Sequence, residues 1–365
     1  YAQRINSTGQ FPWGAPKAIA TRSPYDELEP KICGDGNGSA IITWNLEVTS
    51  SNYGLFTQKI NLTGQVQWDT DGKYITWSPK FMYQKICSDG YRGALVTWVD
   101  HSGGSDDIYV QRISPNGGSA WGSSGLAVCT DSNTQGWPDI CYDGLGGAIV
   151  SWHDQRYGNW DIFAQKIASN GITQWTANGI PICVLGESQL YPQICGDGQG
   201  GGLITWEDYR VGSNSYDIYA QYINSNGTLE WESIGLLICN QINNQLMPEI
   251  CTNGSENILI IWQDYRFGNN DIFAQSLKNI PQVVPGPRSS PEFPIIISTE
   301  GDISQLLLSP LGLGIIGGIA AYAIVATVLL ARNLNKTNER LNLIDKKVTK
   351  GSTSKNMVKK PKDSQ

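Results

Sequence analysis

Three charged sets have the composition of a binding or catalytic centre: Asp154/Arg156/Asp161, Asp208/Arg210/Asp217 and Asp264/Arg266/Asp271. Arginines gathered from several units would grip an acidic sugar through paired, charge-assisted hydrogen bonds. The identical spacing of the sets argues against that use. An asymmetric substrate needs different groups from different units, whereas here one group recurs. The sets therefore read as loop pins, each an arginine fork held between two carboxylates. The units that depart from the pattern, Asn45-Leu46-Glu47 and Asp100-His101-Ser102, are better places to look for a site. Glycoside cleavage needs a pair of carboxylates. Glu47, Glu187, Glu207 and Glu232 break the repeat, but nothing in the sequence brings two of them together. His101 and His153 are the only histidines, and neither accompanies a Gly-x-Ser-x-Gly elbow. The sequence assigns no catalytic residue, cofactor or metal.

The framework that would position such groups is a tandem repeat. Trp44, Trp98, Trp152, Trp206 and Trp262 recur about every 54 residues, and Trp13, Trp68, Trp121, Trp175 and Trp231 follow the same period. A unit this short cannot bury both faces of its own sheet, so neighbouring units must supply the core. The unit Pro138–Trp175 shows four strand signals. Strand A lies around Ile140–Tyr142, and Asp143-Gly144 turns the chain. Strand B, Ala148–Trp152, is apolar without alternation, as a strand buried on both faces would be. Strand C runs from Asp161 to Ile167, and Asn170-Gly171 leads into strand D, which carries Trp175 and runs towards Cys183. A four-stranded antiparallel meander of this length is the signature of a β-propeller blade. The fold class is therefore all-β, with five repeat copies visible and one transmembrane helix following them. The chain begins in mid-strand, at Tyr1-Ala2-Gln3-Arg4-Ile5, so upstream residues and six or more blades are one expectation. A ring of five, closed by pairing the N-terminal strands with Glu249–Asp264, is the other.

The turn element Ser/Asn-x-Gly-x-x-x-Trp resembles the Asp-box of sialidase-like propellers, which also lies between the third and fourth strands. The acidic position of that box is here Thr8, Thr63, Asn116, Asn170 or Asn226. The longer pattern W-x-D-x-R-x-G-x-x-D-I-[YF]-A-Q resembles the repeats of secreted or surface-anchored prokaryotic β-propeller proteins. That resemblance covers residues 1–278 and implies a fold rather than an activity.

Cys129/Cys141, Cys183/Cys195 and Cys239/Cys251 recur at two fixed repeat positions. Outside a membrane, repeated pairs read as disulfides closing the connection from one unit to the next. A metal site is disfavoured by the scarcity of histidine and the absence of Cys-x-x-Cys. Cys33 and Cys87 lack partners and are expected as buried free thiols. Asn6, Asn37, Asn61, Asn226 and Asn253 head glycosylation sequons.

Beyond the repeats, residues 279–303 form a proline-rich stalk and residues 304–331 an uncharged apolar segment. That segment is long enough to cross a hydrocarbon core of ~30 Å at ~1.5 Å per residue. Gly314 and Gly318 have the spacing that lets two such helices pack closely. The tail, residues 332–365, is strongly basic although the whole chain carries −7. By the positive-inside rule the tail is cytoplasmic and the repeats extracellular. An acidic ectodomain argues against nucleic-acid binding. The leading expectation is a membrane-anchored binding or adhesion module for protein or glycan ligands. The alternative is an extracellular glycan-active hydrolase of sialidase-like architecture. The two differ in one structural feature: an enzyme gathers two or more repeat-breaking carboxylates within about 5–10 Å in one channel-mouth pocket. A binder instead exposes aromatics such as Trp137, Tyr157 or Trp160 on a rim.

Overall fold

In a computed structural model the chain divides into two units, Tyr1–Thr299 and Glu300–Gln365. The described residues are 1–21, 24–80, 82–212, 215–252, 257–278 and 296–297. The rest of the stalk, the apolar segment with Gly314 and Gly318, the basic tail and the sequon at Asn253 lie outside them; Ile296–Ile297, expected in the stalk, instead pair with the strand carrying Ala274 and Gln275. Among the described residues no helix is long and apolar enough to cross a membrane.

The described residues form five four-stranded antiparallel sheets. The first contains β1 (Asp26–Gly34), β2 (Ala40–Thr49), β3 (Asn52–Ile60) and β4 (Lys73–Ser78). The second contains β5 (Lys85–Ser88), β6 (Ala94–Asp100), β7 (Asp107–Ile113) and β8 (Leu126–Cys129), and the third β9 (Gln135–Tyr142), β10 (Ala148–Asp154), β11 (Asp161–Ile167) and β12 (Ile180–Cys183). The fourth contains β13 (Gln189–Gly196), β14 (Gly202–Asp208), β15 (Asp217–Ile223) and β16 (Leu236–Cys239). The fifth contains β17 (Gln245–Thr252), β18 (Asn257–Asp264), β19 (Asp271–Lys278) and β20 (Ile296–Ile297). Each sheet is a meander in sequence order, and its first strand lines a common cavity with the first strands of the other four. This is the arrangement of propeller blades.

The reason for the period is visible in the second strand of each blade. Trp98, Trp152 and Trp206 are completely buried, and every residue of β6, β10 and β14 is buried. Each such indole removes an area worth about 5 kcal/mol in hydrophobic free energy. A glycine closes the site from the last strand's approach. A Cβ on Gly125, Gly179 or Gly235 would fall 2.4–2.5 Å from the indole of Trp98, Trp152 or Trp206, and each of these glycines has positive φ. The third-strand glutamine then fixes the outer segment. Gln165 Nε2 donates to Thr176 O (2.8 Å) while its Oε1 accepts the Trp175 N–H (2.9 Å). Trp175 is not on the last strand, contrary to expectation. It precedes β12 and reaches the next blade, its Nε1 donating to Ser225 O (3.5 Å), as Trp121 donates to Ser169 O (3.1 Å).

The N-terminal residues do not close the ring by pairing with β17 and β18. They fold back through an Ala2–Lys17 bridge, and Ala2, Trp13, Ile19 and Ala20 pack on the core of the first blade. Trp13 Nε1 donates to Leu62 O (2.8 Å), repeating the inter-blade tie.

Candidate functional site

The arginines of the three Asp/Arg sets each bond a completely buried carboxylate. Asp154 is completely buried and accepts from Trp152 Nε1 (2.9 Å), Arg156 N (2.9 Å) and Arg156 Nε (3.0 Å). The guanidinium lies 3.9 Å from the Phe163 ring centre and donates from Nη2 to Asn178 O (2.9 Å). Arg210 repeats this over Tyr219 at 3.5 Å and Arg266 over Phe273 at 4.0 Å. The fork is thus held between one carboxylate and an aromatic face rather than between two carboxylates. Asp161 accepts instead from Leu185 N (3.2 Å), and burial pushes Asp161 and Asp217 up to about 6. Asp271 is exposed.

All eight cysteines are free thiols, so the expected Cys129–Cys141, Cys183–Cys195 and Cys239–Cys251 disulfides are not formed. The first member of each pair ends an outermost strand and the second lies on an innermost one. Three strand spacings of ~4.8 Å far exceed the ~7 Å Cα limit for a bridge. Cys129, Cys183 and Cys239 each sit against the arginine of the next blade, at 3.1, 3.6 and 3.3 Å from its Nη2. Cys141, Cys195 and Cys251 share the inner position with Cys33 and Cys87. Burial pushes the Cys33 thiol up to about 12 and raises the other four.

The sequon residues have mixed accessibility. Asn37 and Asn226 are exposed, whereas the Oδ1 atoms of Asn6 and Asn61 close their own turns, accepting from Thr8 N and Thr63 N at 3.0 Å each. Among the four repeat-breaking glutamates, Glu187 and Glu232 are exposed, and Glu47 accepts from the Tyr53 hydroxyl (3.0 Å). Glu207 is buried, and burial lifts its carboxyl to about 7.

The part of the molecule that varies between blades is the start of each inner strand. Glu29, Tyr83, Trp137, Tyr191 and Met247 occupy one repeat position, and all five have φ between 39° and 52°. Left-handed backbone at non-glycine residues is costly and clusters at functional sites. In four blades the position coincides with a β-bulge, which removes the amide from the ladder. At two of the blade interfaces the residue after the core tryptophan of the preceding blade supplies the missing partner. His153 Nδ1 accepts from Tyr191 N (3.4 Å), and Glu207 Oε1 accepts from Met247 N (2.7 Å). In the first blade Asn45 Nδ2 donates to Gln84 Oε1 (2.6 Å), and Gln84 Nε2 donates to Glu29 O (2.7 Å).

The bulge side chains form an aromatic rim. Tyr83 stacks on Trp137 with ring centres 4.8 Å apart, and Trp137 meets Tyr191 edge-on at 5.3 Å. Trp137 is 42% exposed. His153 lies beneath, 4.3 Å from Trp160 and 5.2 Å from Trp137, and burial lowers its pKa to about 3. Trp160 is therefore a half-buried support, while Trp137 and Tyr157 are the exposed members of the expected rim.

Two residues further along each inner strand lies the axial cavity, of about 440 Å³. Its walls carry Lys31, Lys85, Asp139, Gln193 and Glu249, one per blade at a single repeat position. Lys85 Nζ donates to Gln193 Oε1 (3.2 Å) and lies 3.6 Å from Asp139 Oδ1. Asp139 Oδ2 accepts from Ile194 N (2.9 Å). Burial raises the Glu249 carboxyl; Lys85 pulls it down and the Asp139 charge pushes it up. Sequence reasoning missed all five. The signal was the residue before each Ile-Cys, which reads Lys, Lys, Asp, Gln, Glu while its neighbours repeat. Among the described residues no group of three or more His, Cys, Asp or Glu is placed to hold a metal ion.

Two carboxylates, two lysines and an amide converge under an aromatic rim at the axis of an all-β ring, which defines a propeller with an axial polar site. No family profile matches the chain, and no curated protein matches it. Its structural neighbours are propeller-like, glycan-active proteins at low identity. An ulvan lyase in complex with a saccharide is 11% identical with a TM-score of 0.50, the match covering 74% of this chain and 73% of that one. An α-L-arabinanase of Penicillium chrysogenum is 13% identical with a TM-score of 0.43, covering 72% and 81%. A Hadza microbial sialidase is 11% identical with a TM-score of 0.40, covering 65% and 50%. Likeness at this identity concerns the fold.

Proposed function

We propose that the protein is an extracellular glycan-active propeller that cleaves a polysaccharide or oligosaccharide at its axial cavity. The observation that carries this reading is that Asp139 and Glu249, which break the repeat, both line one cavity beneath the Tyr83/Trp137/Tyr191 rim. Repeat-breaking carboxylates that share one cavity favour an enzyme over a pure binder. The rim offers ring faces on which a pyranose stacks. Glu249, holding its proton to higher pH than an ordinary glutamate, donates it to the leaving glycosidic oxygen. Asp139, oriented by Lys85 and the Ile194 amide, faces the anomeric carbon and takes a proton from a water that attacks there, so that a C–O bond to water forms as the glycosidic bond breaks and the alcohol leaves. Lys31, Lys85 and Gln193 hydrogen-bond the sugar. The proline-rich stalk, apolar segment and basic tail fit display at a cell surface with the propeller outside. Release of reducing ends from a panel of polysaccharides, measured for the wild type, Asp139→Asn and Glu249→Gln, tests the proposal. Cleavage by the wild type and its loss in both variants supports it; binding without cleavage returns the protein to the adhesion reading.

A further inference from the structure

We propose that Glu207 is a positioning residue for Glu249: by accepting the Met247 amide proton it fixes the bulge that sets Glu249 in the axial cavity, and protonation of Glu207 weakens that hold. This rests on the reading of Glu249 as the proton donor.

The carboxyl acceptor occurs at one blade interface. Glu207 is on β14 of the fourth blade, and Met247 begins the bulge of β17 in the fifth. The contact Met247 N to Glu207 Oε1 is 2.7 Å. Met247 has φ 51° and precedes Pro248, so its backbone is doubly restricted and its amide has no ladder partner. Glu249 follows two residues later and lines the cavity. The corresponding position holds Asn45, Val99, His153 and Gln263 in the other blades. A carboxyl group is therefore used only where the held strand carries the cavity's glutamate. An ionised acceptor binds an N–H about twice as strongly as a neutral one. The titratable groups around Glu207 are Tyr191 from β13 and Tyr216, which precedes β15; burial raises both tyrosines and the Glu207 charge adds to it. No cation is among the influences on its carboxyl, which burial lifts to about 7.

The sequence holds three methionines, Met82, Met247 and Met357, so the full chain labelled with 15N-methionine gives a spectrum simple enough to read. Met247→Leu identifies the Met247 amide signal. The expected result is a titration of that signal with a midpoint near 7 in the wild type and in Glu249→Gln, and its absence in Glu207→Gln. A Met247 amide that does not titrate in the wild type overturns the proposal, as does an unchanged titration in Glu207→Gln. Loss of the titration in Glu249→Gln also overturns it, because Glu249 itself would then be the group sensed. These outcomes do not depend on cleavage. If no glycan is cleaved the catalytic reading fails alone. If one is, Glu207→Gln is expected to shift the pH–rate profile while Glu249→Gln abolishes the rate.

Discussion

Replacing Arg156 by Met removes the cation from a carboxylate that has no access to water. Asp154 is completely buried, and the Arg156 side chain is only 11% exposed. The substitution keeps the length of the side chain and its apolar stem. It deletes two charge-assisted bonds to Asp154, one bond to Asn178 O, the contact with Cys129 Sγ and the stack on Phe163. Removing one partner of a buried pair costs about 3–5 kcal/mol, because the remaining charge is stranded. The Trp152 indole and the Arg156 backbone amide still donate to Asp154, which favours the lower half of that range. For a propeller of this size the loss corresponds to roughly 6–15 °C in Tm. Urea unfolding followed by tryptophan fluorescence measures it, since the core indole lies in the same network. The double variant Asp154→Asn/Arg156→Met is expected to recover part of the loss, because the stranded charge is gone. Arg210→Met, in the same surroundings, is expected to cost a similar amount. A cost below ~1 kcal/mol for Arg156→Met, the range of an exposed ion pair, would refute the reasoning. So would a double variant less stable than the single one.

Three further outcomes are expected. Gly179→Ala places a methyl 2.4 Å from the Trp152 ring on backbone of positive φ, so it should destabilise by at least ~2 kcal/mol in the same assay, well beyond the usual Gly-to-Ala change. Glu207→Gln should flatten part of the dependence of stability on pH. Glu207 is raised in the folded state, so its contribution is complete below its unfolded value of 4.5 and is lost as pH rises through about 7, a span worth roughly 3 kcal/mol. The variant should therefore gain on the wild type at pH 8 and not at pH 4, with Asp161 and Asp217, at about 6, keeping a residual slope of the same sign. Because the eight thiols are free, dithiothreitol should leave Tm unchanged, and thiol titration in denaturant should count eight without prior reduction.

Much of the architecture is legible from residue spacing. In the unit Pro138–Trp175 the sequence pattern puts the third strand at Asp161–Ile167, which is the observed β11, and the unbroken apolar run after Gly147 is the fully buried β10. The last strand was misplaced because Trp175 looked like a strand residue. Its role is to cap Gln165 and reach the next blade, and Gly179 restarts the chain beneath Trp152. The disulfides were misread for a related reason. Equal spacing along the chain reveals a period but not the radius at which each residue sits, and Cys129 and Cys141 lie at opposite edges of their sheets. The axial residues were missed because the first strand was read as starting at Ile140, one residue after Asp139. Its true start at Gln135 includes a bulge, which interrupts the alternation by which a strand is recognised. Glu207 was singled out as a repeat-breaking acid, but its partner, the Met247 amide, is set by that same bulge and leaves no trace in side-chain pattern.

The most direct test of the account is the rate at which the full chain releases reducing ends from the polysaccharide it binds best, compared with Glu249→Gln. Loss of a positioned general acid is expected to lower the rate by about 10²–10⁴ while binding at the Trp137 rim persists. Equal rates for the two proteins, or cleavage abolished only together with binding, would contradict the assignment of chemistry to the axial carboxylates.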